Sequence, residues 1–204
     1  MRQDNITPQD RTLKKEPVCA TQAPPHFIAL DFETADYGQD SACALSIVAV
    51  HGTTVVQHVT RLIRPPRRNI VFSYLHGITW SQVADQPTFQ ELWPELSPLF
   101  DGVDFVAAHN AGFDRGVLCA CCQEGGFELP GIEFLCTVKL ARRVWNIRPT
   151  KLPDVCRRLS IPLKHHDAAS DAMACAQIVV EAVKTGIDLR KCYKSGHDGS
   201  RKLG

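Results

Sequence analysis

In the stretch FIALDFETAD, residues 27–36, an apolar run carries two carboxylates, Asp31 and Glu33, two positions apart. Alternate residues of a strand share one face, so a strand here sets two negative charges side by side. That arrangement costs energy unless something positive sits between them. Two further acids stand where a fold could bring them to the same edge. Asp114, in AHNAGFDRG, falls in the first turn of a helix that directly follows a strand, and Asp171, in HHDAASDA, falls near the start of the last helix. Strand ends and helix starts are where open sheets place their ligands. Four hard oxygen donors around one point suit Mg²⁺ or Mn²⁺, whereas zinc prefers nitrogen and sulfur. Two such ions ~4 Å apart can activate a water on one side of a phosphodiester and steady the leaving oxygen on the other. A neutral histidine nearby, with an ordinary pKa of ~6.5, can take the water's proton near pH 7.

The elements that must position these groups can be read from periodicity and turn residues. HFIALDFE, SACALSIVAV and TTVVQHVTRLI read as three strands separated by the turn-formers DYGQD and HGT, an antiparallel meander. Thr88, with Glu91 three residues on, caps a predicted helix running to Phe100. GVDFVAAHN is a short buried strand leading straight into the helical AGFDRGVLCACCQEGG, which Gly125 and Gly126 end. IEFLCT follows as a strand. VKLARRVW, KLPDVCRRLSI and the long AASDAMACAQIVVEAVKTG follow as helices, the last closed by Gly186. Strands first, then strands alternating with helices, predict an α/β fold: a mixed sheet, its meander continued by parallel strands, flanked by helices. Residues 1–25 are polar, carry Pro8, Pro17, Pro24 and Pro25, and are expected to form a flexible extension. The domain is expected over 26–184, with 185–204 a loose basic tail.

Bulk properties restrict the function classes. A chain of 204 residues suits one domain, and 44% hydrophobic with 22% charged residues describes an ordinary soluble protein. The net charge of +1 excludes a strongly basic surface but leaves room for a local path along phosphates. RPPRR (Arg64–Arg68), Arg142, Arg143, Arg148 and Lys151 could form such a path or simply be solvated. No signal-peptide core and no apolar run of membrane-spanning length appear, which predicts a cytoplasmic protein without a membrane partner. Nine cysteines, an odd number, should then stay reduced. Cys119, Cys121 and Cys122 contain a C-x-x-C spacing but have no second pair nearby at zinc-site spacing, and read as small helix residues.

DFET (Asp31, Glu33), HNAGFD (Asn110, Asp114) and HHDAASDA (His166, Asp171), in that order over about residues 26–182, resemble the DEDDh, or DnaQ-like, group of 3′-to-5′ exonucleases. That group includes the epsilon proofreading subunit of bacterial DNA polymerase III. Its histidine lies five positions before its last aspartate, which selects His166 over the neighbouring His165. The related tyrosine subgroup has its residue four positions before, where this chain has Asp167. The resemblance implies a ribonuclease H-like fold and two Mg²⁺ or Mn²⁺ ions. Asp31, Glu33 and Asp171 would hold the ion that carries the attacking water, with Asp31 bridging to a second that Asp114 positions. His166 would be the general base and a nucleoside 5′-monophosphate the product.

The same resemblance sets Phe32, Thr34 and Asn110 beside the terminal nucleotide. LHGIT, residues 75–79, looks like the segment that packs on it, with His76 a base or sugar contact unless it is simply an exposed turn residue. His109 is expected to be structural, and His165 receives no role. The expected substrate is a 3′ end of single-stranded DNA. The alternatives are an exoribonuclease of the same family or a non-catalytic module that binds nucleic acid or a polymerase. Any polymerase would act in trans, and oligomeric state is not legible.

Overall fold

The computed structural model describes residues 23–193. Residues 1–22 of the expected N-terminal extension and 194–204 of the expected tail lie outside the described residues. Three strands come first, β1 (His26–Thr34), β2 (Ala42–His51) and β3 (Thr54–Leu62), each antiparallel to the one before it. Gly52, at φ +63°, supplies the left-handed backbone for the tight β2–β3 turn. β4 (Phe105–Ala108) and β5 (Phe134–Cys136) then add in parallel on the other side of β1, giving the order β3-β2-β1-β4-β5. The mixed sheet is thus the one the sequence pattern predicts.

Two helical layers cover it. Along β1, Phe27 and Ala29 point to one face, while Ile28, Leu30 and Phe32 point to the other. The first face packs against α5 (Thr137–Trp145), α6 (Leu152–Leu159) and α7 (Ala168–Lys184). The second packs against α3 (Phe89–Leu96), the following 3₁₀ turn Ser97–Phe100, and α4 (Gly112–Glu124). Ala172, Ala174, Cys175, Ala176 and Ala182 give α7 a buried surface of small side chains, so its backbone can lie close over β1 and β2. Cys121 and Cys122 are buried core residues of α4, as their spacing suggested, and the described cysteines are free thiols.

The structure departs from the sequence reading in three places. The capping box at Thr88 forms, with Glu91 N–H on Thr88 Oγ1 at 3.3 Å and Thr88 N–H on Glu91 Oε2 at 2.7 Å. The expected single helix to Phe100 nevertheless tightens into a 3₁₀ turn, because Pro98 has no N–H to continue the α ladder. Second, the segment between β3 and α3 holds two single-turn helices, α1 (Ser73–His76) and α2 (Trp80–Val83), too short to show a period in sequence. Third, the loose tail expected from residue 185 is corrected for its first part. Leu189 and Tyr193 are buried, α8 (Arg190–Tyr193) sits against the core, and the Tyr193 ring lies 4.9 Å from that of Phe105. A few apolar residues among polar ones carry no periodic signal, but they suffice to close the open end of the α7 face.

Arg67 is a cross-tie rather than part of a free basic track. Its guanidinium reaches Asp36 (Nε to Oδ2, 2.7 Å) and Asp40 (Nη2 to Oδ1, 2.7 Å), clamping the loop that joins β1 to β2 and holding both carboxyls below their usual range. Arg68 stacks over Trp80 at 5.4 Å, and Arg142 donates to Thr150 Oγ1. Truncating Tyr193 to alanine should cost about 3 kcal/mol in urea unfolding. A loss under ~0.5 kcal/mol would mean that residues 187–193 add nothing to the fold.

Candidate active site

The site forms where β1 outruns its parallel neighbour. Pairing between β1 and β4 stops at Ala29–Ala107, while β1 continues to Thr34. The edge of β1 facing β4 is left open there, and the N–H of Phe32 needs an acceptor. Asp114, in the first turn of α4 and 2% exposed, supplies it: Oδ1 accepts from Phe32 N at 3.1 Å. The positive end of the α4 dipole favours a carboxylate at that position. The alternation that buries Phe27 and Ala29 beneath α7 carries on to Asp31 and Glu33, aiming both at the N-terminal end of α7. Asp171 stands there in the first helical turn, 4% exposed.

Oxygens of Asp31, Glu33 and Asp171 all lie within 4.8 Å of one another. Burial is the main cause that drives each carboxyl upward, and mutual repulsion adds to it. Glu33 is pushed up to about 7 by burial, then by Asp171, Asp114 and Asp167. Burial likewise raises Asp114 to about 7, against the opposing hydrogen bond from Phe32. Asp31 rises well above the usual carboxylate range through burial and then through Asp114, Asp171 and Glu33. Asp171 rises through burial, moderated by the hydrogen bond from His165. Among the described residues, Asp171 Oδ1 is buried with no hydrogen-bond partner. A buried acceptor without a donor, facing a repulsive set of hard oxygens, fits a divalent Mg²⁺ or Mn²⁺ ion.

His166 enters through its backbone. Its N–H donates to Asp171 Oδ2 at 3.2 Å, and its φ of +65° turns the chain sharply just before α7. Its ring stacks on that of His165, with centroids 3.9 Å apart and planes inclined by 22°. His165, given no role by the sequence, is a member of the site: its Nδ1 lies 3.0 Å from Asp171 Oδ2. The doublet of histidines was visible in sequence, but which ring faces the carboxylates depends on the left-handed turn between them.

The other anticipated residues divide. Phe32 is 3% exposed with its side chain in the α4-side core, so what it offers the site is its backbone N–H. Thr34 is buried at a β-bulge, and its carbonyl accepts from His76 Nε2 at 3.2 Å. Ile78 N–H donates to His76 Nδ1 at 3.0 Å, so both ring nitrogens of His76 are engaged by the protein. Burial lowers its pKa, and His166 lies close enough to contribute. Asn110 is an exposed turn residue at φ +67°, a backbone that asparagine tolerates better than most residues. His109 bridges Thr137 Oγ1 (2.8 Å) and the Thr150 carbonyl (2.9 Å), the structural part expected of it.

The raised carboxyls set a signed pH dependence. A group such as Glu33, raised from 4.5 to about 7 on folding, stabilises the fold fully below the lower value, and that contribution is lost as pH rises through about 7. In EDTA, unfolding free energy should therefore fall by on the order of 2 kcal/mol between pH 5.5 and 8, and saturating Mg²⁺ should remove most of the fall. An equal decline with and without Mg²⁺ in urea titrations would show that the cluster is not the source. Mn²⁺ affinity should move the opposite way, weakening as pH drops below about 7 and protons compete for Glu33 and Asp114.

Among the described residues no helix is long and apolar enough to cross a membrane. Residues 28–179 match the family model RNase_T, described as an exonuclease. Over 163 residues the chain is 31% identical to Exodeoxyribonuclease 10 of Escherichia coli strain K12, covering 76% of this chain and 68% of that one. Exonuclease X, solved in complex with 5′ overhanging duplex DNA, superposes with a TM-score of 0.68 at 25% identity, over 82% of this chain and 98% of that one. The nuclease domain of 3′hExo, a DEDDh family member bound to rAMP, has the same fold, with a TM-score of 0.69 at 18% identity over 82% and 96%. With the acidic cluster standing at the open end of β1, in the order its motifs set, this chain belongs to the DEDDh exonuclease family.

Proposed function

We propose that the chain hydrolyses the terminal phosphodiester at 3′ ends of single-stranded DNA, releasing nucleoside 5′-monophosphates. The observation that carries this reading is the convergence of Asp31, Glu33 and Asp171, with Asp114 on the Phe32 N–H and His166 beside them, at the open end of β1. Asp31, Glu33 and Asp171 would hold one divalent ion, with Asp31 and Asp114 serving a second, and the pair would supply charge for the phosphate and a water of lowered pKa.

The protein's own groups account for the rest. The backbone hydrogen bond to Asp171 anchors His166 next to the carboxylates, where a ring nitrogen takes the proton of the attacking water. His76 ties Thr34 to α1 and so fixes the exposed Leu75, 44% accessible, beside the end of β1 where a terminal nucleotide would lie. DNA is favoured by the likeness to an exodeoxyribonuclease. An exoribonuclease is the second reading, favoured by the rAMP held in the 3′hExo neighbour. Association with a polymerase in trans rests on the sequence resemblance and would be read by co-purification.

Purified chain should shorten 5′-labelled single-stranded DNA in Mg²⁺ or Mn²⁺ and release labelled mononucleotide at once from a 3′-labelled strand. EDTA should stop the reaction, and His166→Ala should slow it by roughly 10²–10⁴-fold. Matched RNA and a duplex with a 5′ overhang report sugar and strand preference. Release of mononucleotide from the 5′ end, or an unimpaired His166→Ala, would sink the proposal.

A further inference from the structure

We infer that His165 is a positioning residue: its Nδ1–H holds the Asp171 carboxylate in the orientation that leaves Oδ1 free for a divalent ion. The inference rests on the exonuclease reading above for its consequence but not for its geometry. The two oxygens of Asp171 are treated differently by the protein. Oδ2 receives the His166 backbone N–H at 3.2 Å and His165 Nδ1 at 3.0 Å, whereas Oδ1 is buried and receives no donor from the described residues. An Asp171 that holds a divalent ion is ionised and can only accept, so Nδ1 must then carry the hydrogen and donate. One backbone donor alone would let the carboxylate swivel about its Cβ–Cγ bond and exchange its oxygens. A second donor on the same oxygen restrains that rotation.

The ring that donates is itself held in place. It stacks on His166 at 3.9 Å, so one imidazole touches both the ion-facing carboxylate and the histidine that takes the proton. Its side chain is 38% exposed and outside both hydrophobic clusters, so it contributes little to the core. Partners that orient a metal ligand from behind act by this route, and their loss typically lowers affinity or activity about 10–100-fold.

Two substitutions separate the hydrogen bond from the stacking. In His165→Asn the side-chain N–H occupies the place of Nδ1–H without the ring, and in His165→Phe the ring stays without a donor. Mn²⁺ binding to the metal-free protein, followed by electron paramagnetic resonance of the free ion, should weaken about tenfold in His165→Phe and stay within about twofold in His165→Asn. Both should melt close to the unsubstituted protein. The Mn²⁺ concentration for half-maximal cleavage of 3′-labelled DNA should shift by the same factor. Unchanged Mn²⁺ affinity in His165→Phe, or equal losses in both variants, would overturn the inference. If the unsubstituted chain binds Mn²⁺ but cleaves nothing, the proposed function fails, and the binding comparison still decides the role of His165.

Discussion

Three carboxylates with oxygens inside 4.8 Å repel one another strongly when all are ionised, unless a cation stands between them. Everything around the end of β1 follows from keeping that set together. Burial raises Asp31 and Glu33, their neighbouring carboxylates raise them further, and Asp114 adds a fourth negative group from the first turn of α4. Such a cluster is unfavourable for a fold that has no further use for it. Its placement on rigid elements, with Asp171 Oδ1 buried and unpartnered among the described residues, fits a divalent ion.

The scaffold meets that constraint with ordinary packing. A sheet between two helical layers makes β1 rigid, and pleat alternation assigns its last residues to opposite sides: Asp31 and Glu33 toward α7, Phe32 into the α4 core. The small buried side chains of α7 let the first turn, and so Asp171, approach the strand. The early end of β4 leaves one backbone donor of β1 without a ladder partner, and Asp114 satisfies it. A single hydrogen bond thus joins a sheet defect to the acidic cluster. Arg67 closes the β1–β2 loop through two carboxylates, Asp36 and Asp40.

Two of the histidines near the site are occupied by the fold. His76 and His109 each commit both ring nitrogens to the protein. His165 and His166 differ from them. Their rings stack on each other at the rim of the cluster, and the chain reverses between them through a left-handed residue. The distinction is one of topology rather than composition, since all four are histidines beside strand or helix ends.

Much of the architecture is already determined by local chemistry in the chain. Period-two alternation marks β1 and β2, the Thr88–Glu91 box starts α3, and Asp31 and Glu33 must share a face once β1 is a strand. The family motifs add Asp114 and Asp171 by type and spacing. Tertiary structure decided what no local pattern encodes. Phe32 is core because its face of β1 meets α4. The α8 turn belongs to the domain because Tyr193 meets Phe105. Arg67 is a clamp because a loop folds back to it. His165 joins the site because the sign of one φ angle, at His166, sends its ring toward Asp171. Each of these depends on groups distant in the chain, or on a single backbone angle, and neither leaves a period in the sequence.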